Sequence, residues 1–367
     1  MRTLASIQRV VSVEPIPEAD AIEKIKVLGW ELVAKKGDFK PDDLCVYVEV
    51  DSVLPDKPAF EFMRARKFRV KTIRLRGQIS QGLTFPISIL EGVSYVDNTN
   101  PEEPVLKPVM ESITEGMDLS ETLGIVKYEA PEEGDNSPGT RSKTKGNFPS
   151  WISKTDETRI QAAPGVLVDA VGTHCYVAEK IDGSSMTVFL KKNDETGEFN
   201  FGVCSRNQEK KDTEGCYFWE QAHRLDLENK LRAFQQFHAE EFPDGIALQG
   251  ECAGPGIQKN RQNLPKRDFL VFNVYNIGRR SYLGFPQWSY ICKELGVCTV
   301  PILDTDFVIK ETTVASLITM ATRKTAFGGD FLAEGIVVRP WEEGYHRKLG
   351  RFSFKAISPE YLLKHSI

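Results

Sequence analysis

Long apolar runs are missing from this chain. Its most apolar stretches, such as residues 269–274, are a fraction of the ~20 residues that a membrane-spanning helix needs. The first residues hold no continuous apolar segment, so no secretory signal is expected. Histidine is scarce: His174, His223, His238, His346 and His365 form no H-x-x-x-H pair, which leaves a histidine metal site unsupported. The seven cysteines are odd in number, scattered and without a C-x-x-C pair, against a disulfide framework or a cysteine zinc site. Reduced thiols in a cytoplasmic, reducing compartment are the expectation. A basic excess is missing too. The formal net charge is −5, which excludes a globally basic nucleic-acid coat but not a local basic patch.

What remains is ordinary globular composition, 41% hydrophobic and 27% charged over 367 residues. A single core rarely grows past ~250–300 residues, so two domains are expected. The first part reads as mostly strand, in β-rich runs at 7–13, 21–33, 43–50, 69–75 and 81–86, punctuated by Pro15, Gly37, Pro41, Asp51, Pro55 and Gly77. Such a series suits a small barrel or sandwich. Residues 128–147 hold Pro131, Gly134, Pro138, Gly139 and Gly146 among charged and hydroxyl residues, the composition of a linker. Beyond it, one helix is expected over 217–239 from its apolar spacing. Strand-like runs surround it at 175–181, 186–190, 245–249, 269–274, 335–339 and 351–356. The whole is an α+β arrangement rich in antiparallel sheet.

The chemistry centres on Glu179-Lys180-Ile181-Asp182-Gly183. Alternation along a strand puts Lys180 and Asp182 on one face and Val177, Glu179 and Ile181 on the other. A lysine beside a carboxylate at a strand end is either a strand-edge ion pair or a covalent nucleophile, whose amine must be neutral when it attacks. Other pieces follow in order. Ser205-Arg206-Asn207 comes after a strand-like run, and Glu251 closes another before Gly254-Pro255-Gly256-Ile257-Gln258. Phe272 lies in an aromatic run, Glu334-Gly335 leads a strand, and Ser353 and Lys355 share a face.

Set in this order, the pieces resemble the motifs of the covalent nucleotidyltransferases, the superfamily of polynucleotide ligases and mRNA capping enzymes. The similarity spans about residues 148–358. Within it, the chain most resembles stand-alone ATP-dependent RNA ligases with an N-terminal OB domain, the fifth RNA ligase family. The β-rich part precedes the lysine, and no second OB fold is expected after it. Gly250-Glu251, Gly254-Pro255-Gly256-Ile257-Gln258 and Asn260 resemble an RNA-ligase stretch, as does the segment 154–161 upstream of the lysine. The resemblance implies an OB-like β-barrel over 1–127, a linker over 128–147 and an ATP-grasp-like adenylyltransferase domain over 148–367.

It also implies the roles. Lys180 would attack the α-phosphorus of ATP to form lysyl-AMP; AMP would pass to an RNA 5′-phosphate; a 3′-hydroxyl would then displace it, a reaction suited to RNA repair. Nucleotide contacts fall to Arg159, Glu179, Arg206, Phe272 and Lys355, and a Mg²⁺ or Mn²⁺ ion to Asp182, Glu251 and Glu334. One departure stands out: the usual K-x-K of the last motif is Ser353-Phe354-Lys355, with Arg351 or Lys348 as candidates for the missing charge.

Seven of the thirteen residues at 64–76 are basic, with no acidic residue among them. Arg69, Lys71, Arg74 and Arg76 are candidate RNA contacts, although charge that protects a sheet edge gives the same pattern. A monomer with no membrane partner is expected. Two other readings stay open on the sequence alone: a GTP-using capping-type transferase, and a non-catalytic OB-fold RNA-binding protein.

Overall fold

A computed structural model describes residues 2–97, 105–129 and 144–366. Most of the expected linker, residues 130–143, lies outside the described residues. The chain divides into two compact units, one of Met1–Ala130, Ile160–Pro164 and Leu362–Ile367, the other of Pro131–Arg159 and Gly165–Tyr361.

In the first unit β1 (Ala5–Pro15), β2 (Ile22–Val27), β3 (Trp30–Lys35), β4 (Leu44–Val48) and, further on, Leu83–Pro86 form one antiparallel sheet. Its order is β3-β2-β1-β4 and then Leu83–Pro86. Alternation explains how β4 serves two cores. Val46 and Val48 join Ile7, Leu54 and Leu119 on one side, while Cys45 and Tyr47 join Val10, Ile25 and Trp30 on the other. Three sequence expectations change here. The 21–33 run is a hairpin, turned at Leu28 with φ of +53°. The 81–86 run divides between the short strands Gln78–Gln81 and Leu83–Pro86. In the basic run only Thr72–Leu75 is strand. A 3-10 helix, Pro58–Arg66, precedes it, and Lys67 and Phe68 adopt left-handed φ of 52° and 57°. The strand expected over 69–75 is therefore shorter, and Arg69, Lys71 and Arg76 lie outside it.

The second unit holds two large sheets, besides the short pair Tyr345–His346 and Gly350–Arg351. The larger has seven strands and runs Thr144–Asn147, Gln208–Lys210, Phe199–Cys204, Ser184–Lys192, Gly245–Ala253, Asp268–Asn276, Ser281–Tyr282. The smaller has five and runs Thr158–Arg159, Phe354–Ile357, Gly335–Pro340, His174–Lys180, Ile302–Val308. Helices Tyr217–Arg224, Leu227–Phe237 and Phe285–Glu294 bury Phe218, Leu231, Phe234 and Trp288 in the core shared with Val188, Leu248 and Val271. The single helix expected over 217–239 is two, because Asp226 takes a left-handed φ of 53°. The short helices Val314–Ala321 and Pro359–His365 carry too few turns for a clear apolar period and were not expected.

Candidate active site

The five-stranded sheet brings the singled-out residues together through its register. His174–Lys180 pairs antiparallel with Gly335–Pro340, placing Lys180 opposite Gly335. Gly335–Pro340 pairs in turn with Phe354–Ile357, placing Val337 opposite Lys355. Thr158–Arg159 runs parallel to that last strand, with Arg159 beside Lys355. Lys180, Lys355 and Arg159 thus occupy one face of the sheet.

Two glycines make this approach possible. A Cβ on Gly335 would lie 2.2 Å from the Ala356 carbonyl oxygen. A Cβ on Gly183 would lie 2.5 Å from the Cys252 carbonyl oxygen and 2.8 Å from Glu251 Cγ. Gly183 is therefore required for close approach to the Glu251 strand.

Lys180 Nζ lies 2.7 Å from Glu334 Oε2, a partly buried ion pair. Burial alone would lower the Lys180 pKa, but the charges of Glu334 and Glu251 outweigh it and hold the amine protonated. Glu251 is pushed up to about 8 by burial, with Glu334 and Asp182 adding to the rise and Lys180 opposing it. Burial also raises Glu334 against the pull of Lys180. Asp182 accepts hydrogen bonds from Arg261 Nη1 and Tyr361 OH, both at 2.6 Å. Burial, helped by the charges of Lys180 and Arg159, brings Lys355 down to about 8 against the attraction of Asp156.

The nucleotide candidates are placed as follows. Arg159 is buried. Arg206 and Lys355 both reach Asp156, at 3.2 and 3.4 Å. The Phe272 ring is half-buried, with the Arg339 guanidinium 5.4 Å from its centroid. Glu179 is on the other face from Lys180. Its carboxylate accepts from Thr325 Oγ1, the Ala326 amide and Gln262 Nε2. That pairing braces the strand end, because Gln262 also contacts the Lys180 carbonyl and accepts from the Asp182 amide.

The metal candidates offer only carboxylate oxygens, which suit a hard divalent ion. Burial raises Glu251 and Glu334, the neighbouring carboxylates add to the rise, and a cation would relieve both. Among the described residues no three acidic, histidine or cysteine side chains already converge as a ligand set. Glu334 is engaged by Lys180, and Asp182 by Arg261 and Tyr361.

Sequence reasoning missed Arg261, Gln262, Thr325, Arg339 and Tyr361. Arg339 left a signal, since it is the one charge inside an otherwise apolar strand, Gly335–Pro340. The others come from loops and a short terminal helix, where no periodicity marks an inward-facing residue.

The RNA ligase family model matches residues 173–357, and a model for an OB-fold domain matches residues 4–87. The whole chain aligns with solved structures of a Naegleria gruberi RNA ligase. One, a mutant without ligand, shares 33% identity at a TM-score of 0.82, covering 100% of this chain and 98% of that one. Another, a mutant with ATP and Mn, shares 33% identity at 0.81 and covers 100% of both chains. A third, with PPi, shares 33% identity at 0.81, covering 100% and 99%. Comparison with curated proteins gives no match. The chain belongs to the RNA ligase family. The ligase thus has the expected fold: an N-terminal OB-fold sheet followed by a sheet-rich ligase domain. No helix among its described residues is long and apolar enough to cross a membrane.

In the OB-fold unit of the ligase, the basic run is largely engaged. Arg69 pairs with Asp51 at 3.3 Å and lies 3.5 Å from the Tyr128 ring centroid. Lys71 Nζ donates to the Ser366 carbonyl at 2.6 Å. Arg74 and Arg76 are exposed.

Proposed function

We infer that this ligase joins RNA ends with ATP, using Lys180 as the nucleophile. The observation that carries the reading is Lys180 at a strand end between Glu334 and Glu251, on the face shared with Lys355 and Arg159. Nζ attacks the α-phosphorus of ATP, the bond to the bridging oxygen breaks, and pyrophosphate leaves. The 5′-phosphate of RNA then takes the AMP from Lys180, and a 3′-hydroxyl displaces AMP to form the phosphodiester. These are in-line displacements, governed by positioning and charge.

The Lys180–Glu334 pairing bears directly on the first step. Glu334 holds Lys180 protonated, whereas attack needs the neutral amine. Glu334 must therefore leave Lys180 as the site fills. Asp182, Glu251 and Glu334 would hold a divalent ion, which neutralises phosphate charge and disfavours the lysine's proton. Lys355, Arg206 and Arg159 orient phosphate and ribose oxygens. Phe272 stacks on the adenine, and Glu179 supports the strand end that carries Lys180. Within the OB-fold unit, Arg74 and Arg76 contact the RNA backbone, and Arg69 and Lys71 hold the basic run in place.

The test is incubation with α-labelled ATP or GTP and Mn²⁺. An acid-labile label from ATP, transferable to 5′-phosphorylated RNA, is expected. A label from GTP alone would place the protein with the capping-type transferases, and no label from either would refute the reading.

A further inference from the structure

The resemblance leaves a gap at Ser353, where a second basic residue is usual beside Lys355. Neither sequence candidate fills it. Arg351 is bound to Glu343 and Asn273, and its guanidinium stacks 3.6 Å from the Tyr282 ring centroid. Lys348 is exposed. The strand register points elsewhere. Val337 lies opposite Lys355 and Val338 opposite Phe354, so one further step sets Arg339 against Ser353. The side chains meet there: Arg339 Nε donates to Ser353 Oγ at 3.2 Å.

We propose that the second cation of this site is Arg339, across the strand pair from position 353, and that it acts as a positioning residue for nucleotide binding. The inference rests on the ligase chemistry proposed above. Arg339 is only 3% exposed, so it does not meet substrate itself. It reaches three segments instead. Nη2 binds Glu157 Oε1 at 2.7 Å, immediately before the strand that carries Arg159. Nη1 donates to the Phe272 carbonyl at 3.1 Å, with the guanidinium against the Phe272 ring. Through Ser353 it is fixed to the strand of Lys355. Ser353 Oγ also donates to Glu157 at 3.4 Å, completing the ring of contacts. One buried cation thus sets the relative places of Arg159, Phe272 and Lys355.

The arrangement explains the serine. Position 353 is buried, and Glu157 is the carboxylate that both side chains share. A lysine there would force two desolvated cations onto one carboxylate. Restoring the usual lysine should therefore damage this enzyme.

The experiment measures lysyl-AMP formation against ATP concentration for wild type, Ser353→Lys, Arg339→Lys and the double variant Arg339→Ser/Ser353→Lys, with thermal melts to check folding. Ser353→Lys is expected to raise the ATP KM by at least about tenfold with kcat little changed, as a loss of ground-state and transition-state binding alike. The double variant, with one cation again facing Glu157, should recover most of that loss. A structural role alone would make two core substitutions worse than one. Arg339→Lys keeps the charge but loses the forked contacts, so it should raise KM while remaining folded. Ser353→Lys with wild-type KM overturns the inference, as does a double variant no better than the single. Should Ser353→Lys fail to fold, a wild-type KM in Arg339→Lys overturns it. Wild-type protein that takes no label from ATP refutes the proposed function, and this inference with it.

Discussion

Gly183→Ala is a one-methyl test of how the nucleophile and the acidic strand are held together. The new Cβ would lie 2.5 Å from the Cys252 carbonyl oxygen, 2.8 Å from Glu251 Cγ and 3.1 Å from Ala253 Cβ, all on one strand. Comfortable contacts between such atoms are ~3.5 Å, so the Lys180–Ser184 connection and the Glu251 strand must part by roughly 1 Å. Both are strongly paired, with Ser184 opposite Cys252 and Ser185 opposite Glu251, and the Glu251 strand is buried against the core. Overpacking of this kind costs about 1–3 kcal/mol of stability. The larger effect is catalytic, because a ~1 Å displacement of reacting groups lowers rates about 10²-fold. Single-turnover lysyl-AMP formation at saturating ATP measures it, alongside a thermal melt. A folded Gly183→Ala protein that labels within a few-fold of wild type would refute the close-approach argument.

Other expectations follow from the same contacts. Glu157→Gln leaves the buried Arg339 without its charge partner and should cost about 3–5 kcal/mol in urea unfolding. Burial would raise Glu157, but Arg339 brings it from 4.5 down to about 2, so its stabilisation is full above 4.5 and is lost as pH falls toward 2. The acid limb of the wild-type stability curve should flatten in that variant. Lys355 is depressed from 10.5 to about 8 mainly by burial, so the folded state pays for its charge below 8 and is relieved as pH rises to 10.5. Lys355→Met should accordingly raise Tm at pH 7, with the gain fading across that window, while lysyl-AMP formation falls. An unchanged Tm at pH 7 contradicts this. Neutralising Arg74 and Arg76 together should raise the RNA KM and flatten its salt dependence without altering lysyl-AMP formation; an unchanged salt slope removes them from the RNA contact.

Much of this was legible in the sequence because the chemistry sits at strand ends, where period-two alternation and a following glycine leave a readable mark. Strand ends marked Lys180, Glu251 and Glu334, alternation marked Lys355, and the order of the pieces, which resembles the nucleotidyltransferase motifs, supplied their roles. The pairing partners were not legible, because a partner is chosen by register between strands far apart in the chain. Glu157 and Arg339 are 182 residues apart, and nothing local in either segment announces the other. The same limit applies to Asp182, whose partners Arg261 and Tyr361 come from a loop and a short terminal helix. The basic run misled for a different reason. Seven cations in thirteen residues read as a cationic strand, but Lys67 and Phe68 turn the chain through left-handed conformations first. Arg64 is then committed to Asp56 and Glu61, and Arg69 to Asp51. Carboxylates outside the run thus engage two of its cations, although Arg64 remains exposed.

The central claim is that Lys180 carries the AMP. The most direct measurement is peptide mapping of the protein after incubation with α-labelled ATP and Mn²⁺, with Lys180→Arg in parallel. Arginine keeps the positive charge beside Glu334 but does not deprotonate usefully, so the fold should persist and the label should vanish. Wild-type label is predicted on the peptide containing Lys180, in a bond split by acid and stable to alkali, as a lysine phosphoramidate requires. Label on any other lysine, or wild-type labelling in Lys180→Arg, would contradict the account.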